Sequence, residues 1–206
     1  MQYDKNRFEI WAIPHPLILF YILFPSAIFS ELIFGQRLPK VMLVDKKSDK
    51  PWMERTHVPC PHCETLNDGR LWTKWNAFGH WFGLVCPSCH QVIPCLWNIF
   101  SLVVLAMTCP LWYFPARFFR QKWLELEKSR LANVLKRPLI QAARINWIFI
   151  GIFYWGGSTW MTFNVLWTVF NGSEWDLIRM IGNLPIWLVA GFVWGVWMRS
   201  WMNRKR

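Results

Sequence analysis

Charged residues are scarce in this chain, and acidic residues are scarcer than basic ones. Charged residues make up 17% of the 206 positions, with 12 Asp and Glu against 23 Lys and Arg, for a formal net charge of +11. Hydrophobic residues reach 54% and include 17 Trp and 16 Phe, a composition far from that of a soluble domain. We therefore predict that the lipid bilayer is the main solvent of this chain.

The surplus of positive charge lies between the apolar runs. Lys and Arg in such places typically face the anionic head groups of cytoplasmic lipid. A nucleic acid would account for the same charge, but no RNA- or DNA-binding motif accompanies it, so we do not expect a nucleic-acid partner.

Sequence signatures of catalysis are also missing. The chain shows no nucleophile with a base, no paired carboxylates, no phosphate-binding loop and no His-Glu-x-x-His helix, so we predict that it is not an enzyme. A cleavable signal peptide is not indicated either, because Asp4, Lys5, Arg7 and Glu9 are mixed near the start and no small-residue cleavage site follows. The first apolar run is predicted to stay in the mature protein.

Apolar segments predict a mostly α-helical integral membrane protein with a small β insert between the first two segments. The predicted units are an N-terminal apolar region at 1–34, a polar insert at 35–93, an apolar segment at 93–116, a basic amphipathic interfacial helix at 116–144, and a transmembrane helical hairpin with a basic tail at 145–206. The first apolar stretch, residues 17–34, is either a short span or a re-entrant helix broken at Pro25. Its Glu31 would be costly in hydrocarbon without a partner such as Arg37.

The hairpin prediction rests on two apolar segments at 145–170 and 177–201, joined by the short connection 171–176. Gly191 and Gly195 form a small-xxx-small pattern that is typical of helix association. The connection has two acidic residues and no Lys or Arg, whereas residues 116–144 are rich in Lys and Arg. The hairpin tip should therefore face outside, and the C-terminus should face the cytoplasm.

The orientation of the polar insert is less simple, because the insert is also rich in Lys and Arg. Both flanks of the second apolar segment therefore have cytoplasmic character. Either that segment dips into the membrane and returns near Pro110, or the insert lies outside. We favour a cytoplasmic insert, because an oxidising exterior would convert free thiols to disulfides before a metal could protect them.

The cysteines divide into two groups. One group forms two Cys-Pro-x-Cys knuckles in the insert: Cys60, Cys63, Cys86 and Cys89. This spacing predicts a single metal site with four thiolate ligands, with disulfides as the alternative in an oxidising compartment. Cys95 and Cys109 lie in apolar sequence and are predicted to be small buried hydrophobic residues.

The two knuckles, within residues 58–95, resemble zinc-ribbon domains. The resemblance implies a zinc ion held at the tips of β-hairpins, and strands at 71–75 and 81–85 that pair with each other. Zinc ribbons commonly carry Gly after each second cysteine, where this chain has Glu64 and His90. The pattern is also similar to rubredoxin, in which iron replaces zinc, and thiolate ligands alone do not distinguish these metals. Nearby histidines are predicted to support the ligands or lie on the surface: His57, His62, His80 and His90.

A site closed by four cysteines leaves no open position for a substrate. We therefore predict a non-catalytic accessory or assembly subunit of a membrane complex, whose zinc ribbon docks other membrane subunits at the bilayer surface. The alternatives are an auxiliary subunit of a lipid-handling or transport system, and a membrane-anchored one-electron carrier with iron at the four cysteines.

Overall fold

The computed structural model of the protein describes residues 3–141, 145–172 and 175–204, without the side chains of Lys74, Trp75 and Phe170. The end of the predicted basic helix (142–144), part of the hairpin connection (173–174) and the end of the basic tail (205–206) lie outside the described residues. The described chain is mostly helical, with a small antiparallel sheet. The helices are α1 Pro16–Leu23, α2 Ile99–Met107, α3 Cys109–Leu135, α4 Trp147–Phe149, α5 Gly157–Asn171 and α6 Leu177–Met202, with π-helical turns at Phe29–Ile33 and Ile150–Gly156. The strands are β1 Phe8–Trp11, β2 Met42–Asp45, β3 Thr56–Pro59, β4 Leu66–Asp68, β5 Leu84–Val85 and β6 Val92–Ile93.

The larger sheet joins the N-terminal region to the polar insert. Its order is β1-β2-β3-β4, all antiparallel, while β5 and β6 pair separately. β1 precedes the first apolar segment, yet it pairs with β2 from Phe8 opposite Asp45 to Trp11 opposite Met42. The insert therefore does not fold apart from residues 1–34, since one edge strand of its sheet comes from that region.

The first apolar segment is broken into short pieces. α1 ends at Leu23, and Phe24 adopts an extended conformation, as expected for a residue directly before a proline. Eight helical residues cover about 12 Å, less than half of the roughly 30 Å of a hydrocarbon core. Residues 17–34 therefore do not form one continuous helix.

The second apolar segment also differs from its prediction. Ile93 belongs to β6, and α2 begins only at Ile99, after the N-cap residue Asn98. The chain bends by 99° between α2 and α3. The basic interfacial helix was predicted to begin at residue 116. No helix begins there, because α3 continues through Pro115 to Leu135.

The C-terminal region, from α4 to α6, forms an antiparallel helical hairpin. The continuous helical stretch of α4, its π-helical turn and α5 packs against α6, and the backbones approach each other closely at Gly151, Gly156, Gly191 and Gly195. The expectation that Gly191 and Gly195 serve helix association is thus confirmed. Farther along the hairpin, Asn183 Nδ2 donates to Asn164 Oδ1 at 3.1 Å.

An aromatic cluster connects the end of the hairpin to the sheet. The Trp201 ring near the end of α6 lies 5.8 Å from Trp11 of β1 and 4.8 Å from Trp52. The Trp11 and Trp52 rings are 5.0 Å apart. The sheet therefore lies beside the C-terminal end of α6.

Candidate metal centre

Each knuckle occupies the tip of a β-hairpin. Cys60 and Cys63 lie between β3 and β4, and Cys86 and Cys89 lie between β5 and β6. The predicted pairing of strands at 71–75 and 81–85 is wrong. Short 3₁₀ turns at Gly69–Trp72 and Lys74–Ala77 replace the first strand, starting where Asp68 accepts a hydrogen bond from the Arg70 N–H.

The two knuckles repeat the same hydrogen bonds. In the first, the Cys60 N–H donates to Thr65 O and the Glu64 N–H to Cys60 O, each at 3.0 Å. In the second, the Cys86 N–H donates to Gln91 O at 2.9 Å and the His90 N–H to Cys86 O at 3.0 Å. This equivalence places both cysteines of each knuckle on the inner side of a tight turn.

Glu64 and His90 occupy the left-handed positions that glycine commonly fills. Their φ angles are 60° and 58°. The missing glycines therefore do not change the course of the chain, although each turn holds a side chain in a conformation that L-residues disfavour.

The four sulfur atoms converge on one point. All lie within 4.8 Å of one another. The Cys60 to Cys89 separation is 3.6 Å and the Cys63 to Cys86 separation is 3.7 Å. A metal about 2.3 Å from four sulfurs in a tetrahedron requires S···S edges of about 3.8 Å. The cysteines therefore fit a tetrahedral ion of this size.

Burial and polar neighbours shift the pKa values of the cysteine thiols. Cys60 is fully buried, and this burial raises the pKa of its thiol to about 12. At Cys63 the side chain and backbone of Thr65 lower the thiol pKa to about 6. The Asn67 amide lies 3.8 Å from the Cys86 sulfur and also donates to Val58 O. Thr65 and Asn67 thus support the sulfurs, although neither was predicted from the sequence.

Chemically, such a site can hold a thiophilic ion such as zinc or iron. Four protein ligands complete a tetrahedron, so a bound zinc would stiffen the module without offering a position for substrate. The same geometry would hold iron, because thiolate ligands do not select between the two.

The four nearby histidines, all described, lie outside the cysteine cluster. His62 is exposed, with Nε2 3.3 Å from Val92 O, and His57 contacts the Phe8 ring edge-on. His80 departs from the prediction of a surface or ligand-supporting role. It is 1% exposed, with Nδ1 2.9 Å from Glu127 Oε2 and Nε2 2.6 Å from Asn76 O.

His80 marks the contact between the metal module and α3. Trp123, Glu127 and Leu131 form the buried face of α3, and Trp123 and Leu131 join the same apolar core as Cys60 and Cys86. The Trp123 Nε1–H donates to Gly79 O at 2.6 Å. The i, i+4, i+8 spacing on α3 is the signal that could have identified this face.

A second buried polar cluster holds the apolar segments together. Arg37 Nη1 lies 3.5 Å from Glu31 Oε1, so Glu31 has the partner expected from the sequence. The Tyr21 hydroxyl donates to the same oxygen at 2.5 Å, and the Asn98 N–H lies 3.1 Å from both carboxylate oxygens. Neither Tyr21 nor Asn98, which lie 10 and 67 residues from Glu31 in the sequence, was predicted to contact it.

The remaining cysteines behave differently from each other. Cys95 is buried, as predicted, and burial raises the pKa of its thiol to about 11. Cys109 is exposed at the start of α3, so the prediction that it is buried is wrong.

A family model described as a domain of unknown function (DUF8250) matches residues 11–105. No curated protein and no solved structure matches the chain. The matched range includes the first apolar segment, both knuckles and most of α2. The family similarity therefore spans the metal module together with the apolar elements packed beside it, and it names no activity.

Proposed function

We propose that the protein is an integral membrane protein and an accessory or assembly subunit of a membrane complex, with a zinc ribbon as its docking module. The observation that carries the proposal is the apolar surface of α6. This helix has 26 residues, and only 6% of its most apolar window is buried within the protein. A core helix of a soluble protein would be largely covered, so lipid is the environment that suits this surface.

The sidedness of the module is part of the proposal. Trp201 contacts Trp11 and Trp52, which supports placing the sheet on the same side as the end of α6. The hairpin connection has no Lys or Arg, so the positive-inside rule favours a cytoplasmic C-terminus and a cytoplasmic metal module. A reducing compartment would also keep the four thiols available for metal.

Zinc is the ion we propose, in a structural role. The module has short strands, and its core includes Cys60 and Cys86 themselves. A bound ion would add folding free energy that so small a module needs. The knuckle loops remain exposed at Pro61, His62, Ser88 and His90. A metal-stiffened surface with one side packed on α3 suits the docking of a partner subunit.

The test compares Cys60→Ser with Cys109→Ser, the matched control outside the cluster, both purified in mild detergent. We expect the control to contain one zinc per chain and a stoichiometric partner, and Cys60→Ser to lose both. Both should resist extraction of membranes with alkaline carbonate. A wild-type protein that is a lone monomer would contradict the subunit role, and iron with thiolate charge-transfer bands would favour the electron carrier.

A further inference from the structure

The helical elbow, defined as α2 together with residues 109–116 of α3, has an unusual surface. Its apolar side chains are exposed on nearly every side, with Met107 at 79%, Leu111 at 77% and Phe114 at 73%. No charged residue lies between His90 and Arg117. A helix that is apolar all round requires either a protein core or lipid around it.

We propose that this elbow is a re-entrant wedge that inserts into one leaflet of the bilayer, on the side of the metal module. The inference rests on the proposed membrane location. It goes further, because it assigns lipid acyl chains as the partner of a surface that does not cross the membrane.

The dimensions match a single leaflet. α2 has nine residues and is about 13 Å long, and the arm from residue 109 to residue 116 has eight residues and is about 12 Å long. Because the arms bend by 99° at Thr108, a symmetrical wedge would reach about 10 Å deep. One leaflet provides about 15 Å of hydrocarbon, so the elbow fits within it and is too short to cross both.

Both ends of the elbow return to the same side. At its start, Asn98 Nδ2 donates to the carbonyls of Tyr21 and Phe24, and the Asn98 N–H meets Glu31. At its far end, α3 continues until Trp123 packs on the metal module. Both ends are therefore tied to the body that contains the sheet and the knuckles, and a full crossing would separate them.

Charge and continuity with the hairpin favour lipid as the occupant. Exposed Arg117 and Arg120 follow the elbow directly, where they can reach lipid phosphates. Phe24, beside Asn98, stacks on Trp155, which stacks in turn on Trp194 of α6. Trp201 contacts the sheet and so lies on the side of the metal module, and Trp194 precedes it by seven residues, or about 10 Å along the helix. The stack of Phe24, Trp155 and Trp194 therefore also lies at the depth of one leaflet.

The test uses the exposed Cys109 at the bend as a probe. The zinc-loaded full chain is labelled there with a fluorophore and reconstituted into phosphatidylcholine and phosphatidylglycerol vesicles. Lipids that carry quenchers near the glycerol or near the chain end report the depth. Val189→Cys in a Cys109→Ser background gives the mid-bilayer reference, and Asp49→Cys the aqueous one.

We expect the shallow quencher to quench the Cys109 label more than the deep quencher does. The label at Val189→Cys should show the reverse order. Aqueous iodide should quench only the label at Asp49→Cys. An impermeant maleimide should reach Asp49→Cys and Arg204→Cys from one side, and Asn171→Cys from the other. Cys109 quenched by iodide, or most strongly at the bilayer centre, would overturn the inference. Protection from every quencher would also overturn it, since a protein partner would then cover the elbow.

The two proposals fail in different ways. A protein that alkaline carbonate extracts from membranes would refute the membrane location itself. A protein that resists carbonate but shows one of the contrary Cys109 results would refute only the wedge.

Discussion

Replacing Gly151 with Ala should separate the two long helices of the hairpin. A Cβ atom at this position would lie 2.7 Å from Gly195 Cα and would also collide with the Gly191 carbonyl oxygen. Carbon atoms pack at about 3.5–4.0 Å, so the helices must move apart by about 1 Å. Both obstacles are backbone atoms, so no change of side-chain rotamer can relieve the contact.

The cost of such overpacking is about 1–3 kcal/mol. At about 2 kcal/mol, the melting temperature of a chain of this size should fall by about 4–8 °C. The matched control is Gly157→Ala on the same helical stretch, where an added Cβ meets nothing within 4 Å. The control should melt at the wild-type temperature or higher, because alanine favours a helix over glycine by up to about 1 kcal/mol.

The assay is thermal unfolding in detergent, followed by far-ultraviolet circular dichroism, with the zinc content of each variant measured beforehand. Equal zinc in all proteins would show that the effect arises in the hairpin and not in the metal module. If Gly151→Ala melts no lower than Gly157→Ala, the close helix contact at Gly151 is not present in the protein.

Three further predictions concern the knuckles and the buried polar groups. Glu64→Gly or His90→Gly should stabilise the metal-loaded protein by about 0.5–1 kcal/mol, because glycine accepts the left-handed turn, and an unchanged or lower melting temperature would argue against that backbone conformation. Glu31→Leu should lower the free energy of unfolding by about 3–5 kcal/mol, because Arg37 would stay buried without a counter-charge. The yield of folded protein should fall, and a wild-type yield would contradict the buried pair. Glu127→Gln should weaken the contact between α3 and His80 and make the 70–85 region more sensitive to limited proteolysis, whereas unchanged cleavage would mean that this contact does not hold the module.

Interactions between residues close in sequence were readable before the structure. A Cys-x-x-Cys turn brings two sulfurs together by its own local geometry, so the two knuckles predicted the four converging thiols. Gly191 and Gly195 are one helical turn apart and mark one face of α6, which predicted a close helix contact. Glu31 required a counter-charge, and Arg37 was near enough in sequence to be chosen as its partner.

The sequence by itself determined the four-cysteine cluster, the apolar character of the chain and the close packing of its last two helices, because each depends on local spacing and composition. Only the tertiary structure decided that β1 completes the sheet of the insert, that α2 and α3 meet at a 99° bend, and that His80 pairs with Glu127. The sheet pairing and the His80 contact join residues far apart in the chain, where spacing carries no signal, and the size of the bend depends on how both helices pack on the rest of the molecule. Their energy comes from burial and charge pairing that exist only once the segments have met.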